Sequence, residues 1–198
     1  MVLIRHAAVD AGARLCGSLD LPLSPIGRAD VRALLRRLTQ AVAPEALLSS
    51  TLNRAKEVAC ELGHSWRLDV RLADWAREID CGEFEGMPFA QLQRDFPDLW
   101  TRNEAQVDDA FGWPGGETYT QFRARVLNGL HEVAATYGSG RVVIVTHAGV
   151  ISQVLGAVKA RPACVWQPDR PRPLTATEVL WEDGQPRAVL SFNDPDWY

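Results

Sequence analysis

The sequence predicts an α/β three-layer sandwich with a mostly parallel central sheet. Short apolar runs at 2–4, 46–49 and 141–145 have the length and composition of buried strands. Segments in which apolar residues recur with the period of an α-helix separate these runs along the chain. Strands that alternate with helices in this way form a parallel sheet with helices on both of its faces.

Local signals predict where the helices begin. Ser24 is a good N-cap and Pro25 suits the first helical position, ahead of an apolar stripe at 31, 34, 35 and 38. Further helices are predicted to start near Leu52, to span 118–137 and to begin after residues 146–149.

The remaining strands are predicted from alternation. Residues 68–72 alternate like a third parallel strand, and the runs 175–181 and 188–192 flank Asp-Gly at 183–184, which is typical of a β-hairpin. Between 75 and 116 the periodicity breaks down and glycine, proline and large aromatic residues accumulate. We interpret this stretch as a helical and loop insertion over the sheet edge, within a single domain that spans 1–198.

Composition excludes several classes of protein. Hydrophobic residues at 46% and charged residues at 23% are ordinary for a globular chain. A net charge of −4 argues against nucleic-acid binding, although a few arginines can still form one local cationic pocket. The four cysteines lack zinc-ligand spacing and indicate free thiols. No stretch has the length of a signal peptide or membrane span, so we expect a cytoplasmic protein without a membrane partner.

Charged side chains follow the ends of the predicted parallel strands. Arg5 and His6 follow the first strand, Arg54 lies just beyond the second, and His147 follows the strand at 141–145. Carboxyl ends of parallel strands meet at one edge, where such sheets bind ligands. Arginine grips phosphoryl oxygens, a neutral imidazole can attack phosphorus, and backbone N–H groups from Ala148 onward can point at an anion. These residues together predict phosphoryl transfer.

A phosphate ester also needs a proton donor for its leaving oxygen. The run 78–86, EIDCGEFEG, offers four carboxylates, and position alone does not choose among them: Glu78, Asp80, Glu83 and Glu85.

The chain resembles the histidine phosphatase superfamily, the phosphoglycerate-mutase-like group. The resemblance lies in four motifs in order: LIRHA at 3–7, STLNRA at 50–55, EIDCGEFEG at 78–86 and THAGV at 146–150. It implies a phosphohistidine on His6, a phosphate pocket of Arg5, Arg54 and His147, and Glu78 as proton donor. It implies neither a cofactor nor a metal, because arginines supply the positive charge.

Within that superfamily, LCGSLDLPLSPIG at 15–27 and PGGE at 114–117 resemble the α-ribazole phosphatase branch of cobalamin biosynthesis. The resemblance implies that Cys16 and Gly17 lie at the mouth of the pocket and that α-ribazole 5′-phosphate is the substrate. Two positions depart from the family pattern: Ala7 replaces a glycine, and Gly12 replaces an asparagine that would bind phosphate.

Other functions fit parts of the same pattern. A protein phosphohistidine phosphatase, a phosphoglycerate mutase-type enzyme and a non-catalytic module that binds a phosphorylated ligand stay open as alternatives. The partner we expect is a small phosphorylated metabolite, and a homodimer is compatible with the sequence.

Overall fold

A computed structural model describes residues 1–38 and 42–198. The elements in chain order are β1 (Val2–Arg5), α1 (Pro25–Arg37), β2 (Ala46–Ser50), α2 (Asn53–Trp66), β3 (Val70–Ala73), α3 (Phe89–Asp95), α4 (Pro97–Ala105), α5 (Tyr119–Tyr137), β4 (Val142–Thr146), α6 (Ala148–Val158), β5 (Ala176–Glu182) and β6 (Gln185–Asp194). Short 3₁₀ turns lie at Asp74–Ala76 and Gly82–Phe84.

The central sheet has the strand order β3-β2-β4-β1-β5-β6. The first four strands in that order pair in parallel, and β5 and β6 are antiparallel. One apolar core packs α1 and α2 against one face of the sheet, and a second packs α5 and α6 against the other. The predicted α/β three-layer sandwich is therefore confirmed.

The predicted helix N-termini are present in the structure. The Ser24 hydroxyl accepts a hydrogen bond from the backbone N–H of Gly27, and Pro25 begins α1. Thr118 and Gln121 form a capping box at the start of α5, in which the side-chain oxygen of each residue accepts a hydrogen bond from the backbone N–H of the other. Helix α2 begins at Asn53, so Arg54 lies in its first turn.

The third strand begins later than predicted. Alternation predicted 68–72, but β3 spans Val70–Ala73. Helix α2 continues to Trp66, and Arg67 adopts a left-handed conformation with φ of 57°. The backbone N–H of Leu68 then donates to Gly63 O, so this residue belongs to the turn that ends the helix.

The insertion at 75–116 contains α3 and α4 and a third apolar cluster. The cluster buries aromatic residues of the insertion, including Phe84, Phe111 and Trp113, against Tyr119 of α5 and Cys164. This packing fixes the insertion above the carboxyl ends of β1 and β4.

Candidate active site

The register of the sheet brings the two predicted histidines together. Arg5 of β1 pairs with Thr146 of β4, so His6 and His147 follow adjacent strand ends. The backbone N–H of His6 donates to Thr146 O at 2.9 Å, and the two imidazole centroids are 5.1 Å apart. The structure thus places these side chains in one cluster at the predicted edge.

Hydrogen bonding selects the tautomer of His6. Its Nδ1 lies 2.6 Å from Ala7 O, and a carbonyl oxygen can only accept, so Nδ1 carries the proton. In the neutral ring, Nε2 then presents a lone pair. This is the nitrogen that faces Arg54, and it is the atom able to act as a nucleophile.

Arg54 is a buried cation shared by both histidines. Its Nε–H lies 3.2 Å from His6 Nε2 and 3.2 Å from His147 Nδ1. Its Nη1 donates to Leu19 O and its Nη2 to Gly17 O, at 2.6 and 2.7 Å. Only 2% of the residue is exposed, so its guanidinium orientation is set entirely by protein groups.

His147 is fully buried behind His6. Because Arg54 Nε–H can only donate, His147 Nδ1 accepts, and the ring proton lies on Nε2, which donates to Ser50 Oγ at 2.7 Å. The ring does not line the cavity itself. Its predicted contact with a phosphate therefore stays a prediction.

Burial and neighbouring cations keep both imidazoles neutral. Desolvation first, and then the Arg54 charge, lower the pKa of His6 to about 3. Desolvation also lowers the pKa of His147 well below its ordinary value, with His6 and the arginines adding to the effect. A neutral His6 has the available lone pair that nucleophilic attack requires.

Arg5 adds a second positive charge with an unused donor. Its Nη1 donates to Pro171 O at 2.7 Å, while its buried Nε has no hydrogen-bond partner among the described residues. Desolvation lowers the pKa of Arg5, and the nearby Glu78 carboxylate opposes that shift. A buried N–H group without an acceptor is costly, so an anion at this point would satisfy it.

The structure separates the four candidate carboxylates. Glu78 lines the cavity, and its Oε2 accepts from the backbone N–H of Gly149 at 2.9 Å. Asp80 instead accepts from Ser18 Oγ and Gly82 N, Glu85 binds backbone N–H groups at 17–19, and Glu83 is exposed. Of the four, only Glu78 faces the cavity with His6.

The segment that carries Glu78 is held by Arg125 of α5. Arg125 donates to the carbonyl oxygens of Trp75, Arg77 and Glu78, at 2.7, 3.0 and 3.3 Å. The same guanidinium forms a bidentate ion pair with Glu117 at 2.7 and 2.6 Å. Glu117 belongs to the PGGE motif at 114–117, and its ion pair with Arg125 places that motif beside the segment that carries Glu78.

The start of α6 holds Glu78 closely. Ala148 lines the cavity as expected, but the Gly149 N–H donates to Glu78 and is not free to point at an anion. A Cβ at Gly149 would lie 2.1 Å from Glu78 Oε1. The glycine therefore allows the carboxylate to approach the helix terminus.

Of the two residues that the α-ribazole phosphatase resemblance placed at the pocket mouth, one lines the cavity and the other contacts Arg54. Cys16 lines the cavity, whereas Gly17 is buried and contacts Arg54 through its carbonyl oxygen. Ala7, at the family's glycine position, is fully buried and its φ is not positive, so the methyl group causes no backbone strain. Gly12 has φ of 61° and lies outside the cavity lining.

The histidine cluster opens into a cavity of about 580 Å³. Its base holds Arg5, His6, Arg54 and Glu78, and six aromatic residues line its walls: Phe89, Trp100, Trp113, Tyr119, Phe122 and Trp166. A cavity of this size suits a ligand larger than a phosphate ion, since small-molecule sites occupy about 300–1,000 Å³.

Sequence reasoning missed the wall contributed by the segment between α6 and β5. Trp166, Arg170 and Pro171 line the cavity, and the Arg170 guanidinium lies 5.9 Å from the Trp166 ring centroid. The available signal was the hairpin: because β5 runs antiparallel to β1, the chain must enter β5 near the carboxyl end of β1. Arg14, also at the wall, had no comparable signal.

Residues 1–38 and 42–198 contain neither a candidate metal site nor a candidate membrane span. No group of three or more His, Cys, Asp or Glu side chains in these ranges is arranged to hold a metal ion. No helix in them is both long and apolar enough to cross a membrane. All four cysteines are free thiols.

The comparisons with known proteins agree with the site geometry. The family described as histidine phosphatase superfamily (branch 1) matches residues 1–194. The chain belongs to the histidine phosphatase superfamily. Glucosyl-3-phosphoglycerate phosphatase from Mycobacterium tuberculosis is 31% identical over 176 residues, covering 84% of this chain and 78% of that protein. A metal-independent phosphoserine phosphatase from Arabidopsis thaliana is 26% identical, covering 78% and 66%.

Solved structures of this superfamily share the fold over nearly the whole chain. The mycobacterial glucosyl-3-phosphoglycerate phosphatase superposes with a TM-score of 0.84 at 27% identity, covering 98% of each chain. The α-ribazole phosphatase from Shigella flexneri gives 0.84 at 21% identity, covering 98% and 96%, and shows the fold alone. This histidine phosphatase superfamily member is a phosphatase, as its named relatives are.

The buried neutral histidines predict a pH-dependent stability. Folding lowers the pKa values of His6 and His147, so below about pH 6.5 the unfolded chain binds protons that the folded chain does not. The free energy of unfolding should fall between pH 6.5 and pH 5, approaching about 1.4 kcal/mol per pH unit for each histidine. Urea denaturation in phosphate-free buffer measures it.

A matched pair of variants assigns this slope. His147→Gln should remove the contribution of His147 to the pH dependence of the free energy of unfolding. His64→Gln, at an exposed helix position, should leave that pH dependence unchanged. A free energy of unfolding that is constant from pH 6.5 to pH 5 would contradict the assignment of neutral buried rings.

Proposed function

We propose that this phosphatase is a metal-independent phosphomonoesterase that works through a phosphohistidine on His6. One observation carries the proposal: His6 Nε2 presents a lone pair beside the guanidinium of Arg54, at the base of a cavity that also holds the unpartnered Nε–H of Arg5. A nucleophile between two cations is the arrangement that attack on a negatively charged phosphorus requires.

The proposed reaction has two steps. His6 Nε2 attacks phosphorus, the ester P–O bond breaks, and Glu78 gives its proton to the departing alkoxide. Water then attacks the phosphoryl group, Glu78 takes the proton from water, and the P–N bond breaks with its electron pair returning to Nε2. Arg5 and Arg54 stabilise the phosphoryl oxygens in both steps. The phosphoryl charge also opposes the effects that keep His147 neutral, which favours its donation to an oxygen.

The cavity supports a small metabolite as substrate. A recessed site walled by α3, α4 and the segment before β5 suits a small organic leaving group better than a phosphorylated side chain on a protein surface. Two ring-containing esters have specific support. Residues 15–27 resemble the α-ribazole phosphatase branch, which favours α-ribazole 5′-phosphate, and the 31% identity to a glucosyl-3-phosphoglycerate phosphatase favours that glycoside.

The phosphohistidine is directly testable. The wild-type enzyme should hydrolyse p-nitrophenyl phosphate in the presence of EDTA, and rapid quenching with a ³²P-labelled substrate should trap acid-labile, base-stable phosphate on the protein. His6→Ala should lose both turnover and label, while His64→Ala, exposed on α2, should keep both. Turnover without a nitrogen-linked phosphate, or inhibition by EDTA, would contradict the mechanism. A non-catalytic binding module would show no turnover.

The role of Glu78 as general acid is tested by comparing esters whose leaving groups differ in their need for a proton. Replacing Glu78 by alanine should lower kcat/KM for a simple alkyl phosphate by about 10²–10⁴-fold, because an alkoxide needs protonation to leave and kcat/KM reports the phosphorylation step rather than the later attack of water. The loss for p-nitrophenyl phosphate should be much smaller, because p-nitrophenolate leaves without help. Glu83→Ala is the control, since that carboxylate is exposed. Equal losses on both esters would remove Glu78 as the general acid.

The substrate class is tested by comparing kcat/KM values. We expect α-ribazole 5′-phosphate and glucosyl-3-phosphoglycerate to exceed phosphoserine and 3-phosphoglycerate, because aromatic walls contact a ring better than a short chain. Trp100→Ala should reduce the ratio of kcat/KM between the ring-containing and the acyclic esters, since Trp100 lines the cavity. A preference for the acyclic esters would contradict the proposal, and transfer of phosphate from one glycerate oxygen to another would indicate a mutase.

A further inference from the structure

Glu85 binds an unusual number of donors for a residue outside the cavity lining. Its Oε2 accepts from the backbone N–H groups of Gly17 and Leu19, at 3.0 and 3.1 Å. Its Oε1 accepts from the backbone N–H and hydroxyl of Ser18, at 2.5 and 3.0 Å, and from Cys81 N at 2.9 Å. A carboxylate offers about four acceptor sites, so this one is fully used by the protein.

The loop that Glu85 binds is the loop that holds Arg54. Residues 17–19, called here the carbonyl loop, present N–H groups to Glu85 on one side. On the other side, the carbonyl oxygens of Gly17 and Leu19 accept from the two terminal nitrogens of Arg54. The loop therefore separates a carboxylate from a buried guanidinium.

One peptide group connects the two charges directly. The carbonyl of Gly17 and the N–H of Ser18 belong to the same peptide unit. Its oxygen lies 2.7 Å from Arg54 Nη2, a distance typical of a charge-assisted hydrogen bond, and its N–H donates to Glu85 Oε1. Each charge polarises the peptide in the direction that strengthens the other bond. The negative charge of Glu85 thus partly compensates the positive charge of Arg54 without a direct contact between the two side chains.

Close packing at Gly17 makes this bridge specific. A Cβ there would lie 2.0 Å from Ile79 O and 2.8 Å from Glu85 Oε1, so only glycine lets the carbonyl loop sit this near the 78–86 run. With both terminal nitrogens of Arg54 held by the loop, its Nε–H remains directed at His6 and His147. The orientation of that N–H depends on where the loop lies.

We propose that Glu85 is a positioning residue that aims Arg54 at the phosphoryl site through the peptide between Gly17 and Ser18. The inference rests on the proposed function, because it assigns Arg54 to phosphoryl binding. Glu85 acts neither as acid nor as base, since its two oxygens are engaged by the carbonyl loop and Cys81.

The test is a double-mutant cycle of Glu85→Gln and Arg54→Lys. Glutamine keeps the shape but removes the charge and one acceptor oxygen. Glu85→Gln should lower kcat/KM by about 10²-fold, on p-nitrophenyl and alkyl phosphates alike. The same substitution should raise the competitive inhibition constant of inorganic phosphate by a similar factor. In the Arg54→Lys background, which lacks the two-pronged contact with the loop, the same change should cause little further loss.

Controls separate positioning from general destabilisation. Glu83→Gln makes the same substitution two residues earlier at an exposed site and should behave as wild type. Phosphate inhibition of Glu85→Gln equal to that of Glu83→Gln, or full and independent losses in the Arg54→Lys background, would overturn the inference. If Glu85→Gln does not fold, Glu85→Asp, which withdraws the carboxylate by one methylene, is measured in the same way.

The outcome is distinguishable from failure of the proposed function. Absence of phosphohistidine on wild-type His6 would refute the mechanism itself. Trapping of that intermediate together with a Glu85→Gln variant that matches Glu83→Gln would refute only the role of Glu85.

Discussion

The site depends on one buried guanidinium. Arg54 is 2% exposed and always charged, yet its partners among the described residues are two imidazole nitrogens and two carbonyl oxygens, none of them a carboxylate. A buried charge is costly unless hydrogen bonds and opposite charge compensate it. The hydrogen bonds are present, and one carboxylate, Glu85, is connected to Arg54 through the peptide between Gly17 and Ser18. A phosphate dianion would supply the rest.

The same cation explains the state of the histidines. Its Nε–H lies 3.2 Å from the unprotonated nitrogen of each ring, and its charge opposes protonation of both. His6 consequently keeps its proton on Nδ1, held by Ala7 O, and its Nε2 faces Arg54. In the proposed mechanism stability and reactivity are coupled, because the environment that leaves Nε2 of His6 unprotonated for attack also makes its protonation unfavourable in the folded chain.

The fold was predictable from the sequence because its signals are local. Strand composition, the Ser24 cap and the Asp-Gly turn each depend on a few neighbouring residues. The prediction was wrong only at 68–69, because the left-handed Arg67 ends α2 and the turn that follows it delays β3 until Val70. The histidine cluster was also predictable, since residues that follow parallel strands must meet at one edge of the sheet.

The sequence by itself determined that His6, His147, Arg5 and Arg54 lie at one sheet edge, because strand direction and side-chain position follow from local pattern. Only the tertiary structure decided which carboxylate faces them. Glu78, Asp80, Glu83 and Glu85 are alike in chemistry and close in sequence, and their roles differ through contacts with Gly149, Ser18 and the carbonyl loop, which lie far along the chain. Trp166 and Arg170 are a similar case: the hairpin indicates that their segment approaches the carboxyl end of β1, but which side chains form the wall depends on packing between distant segments.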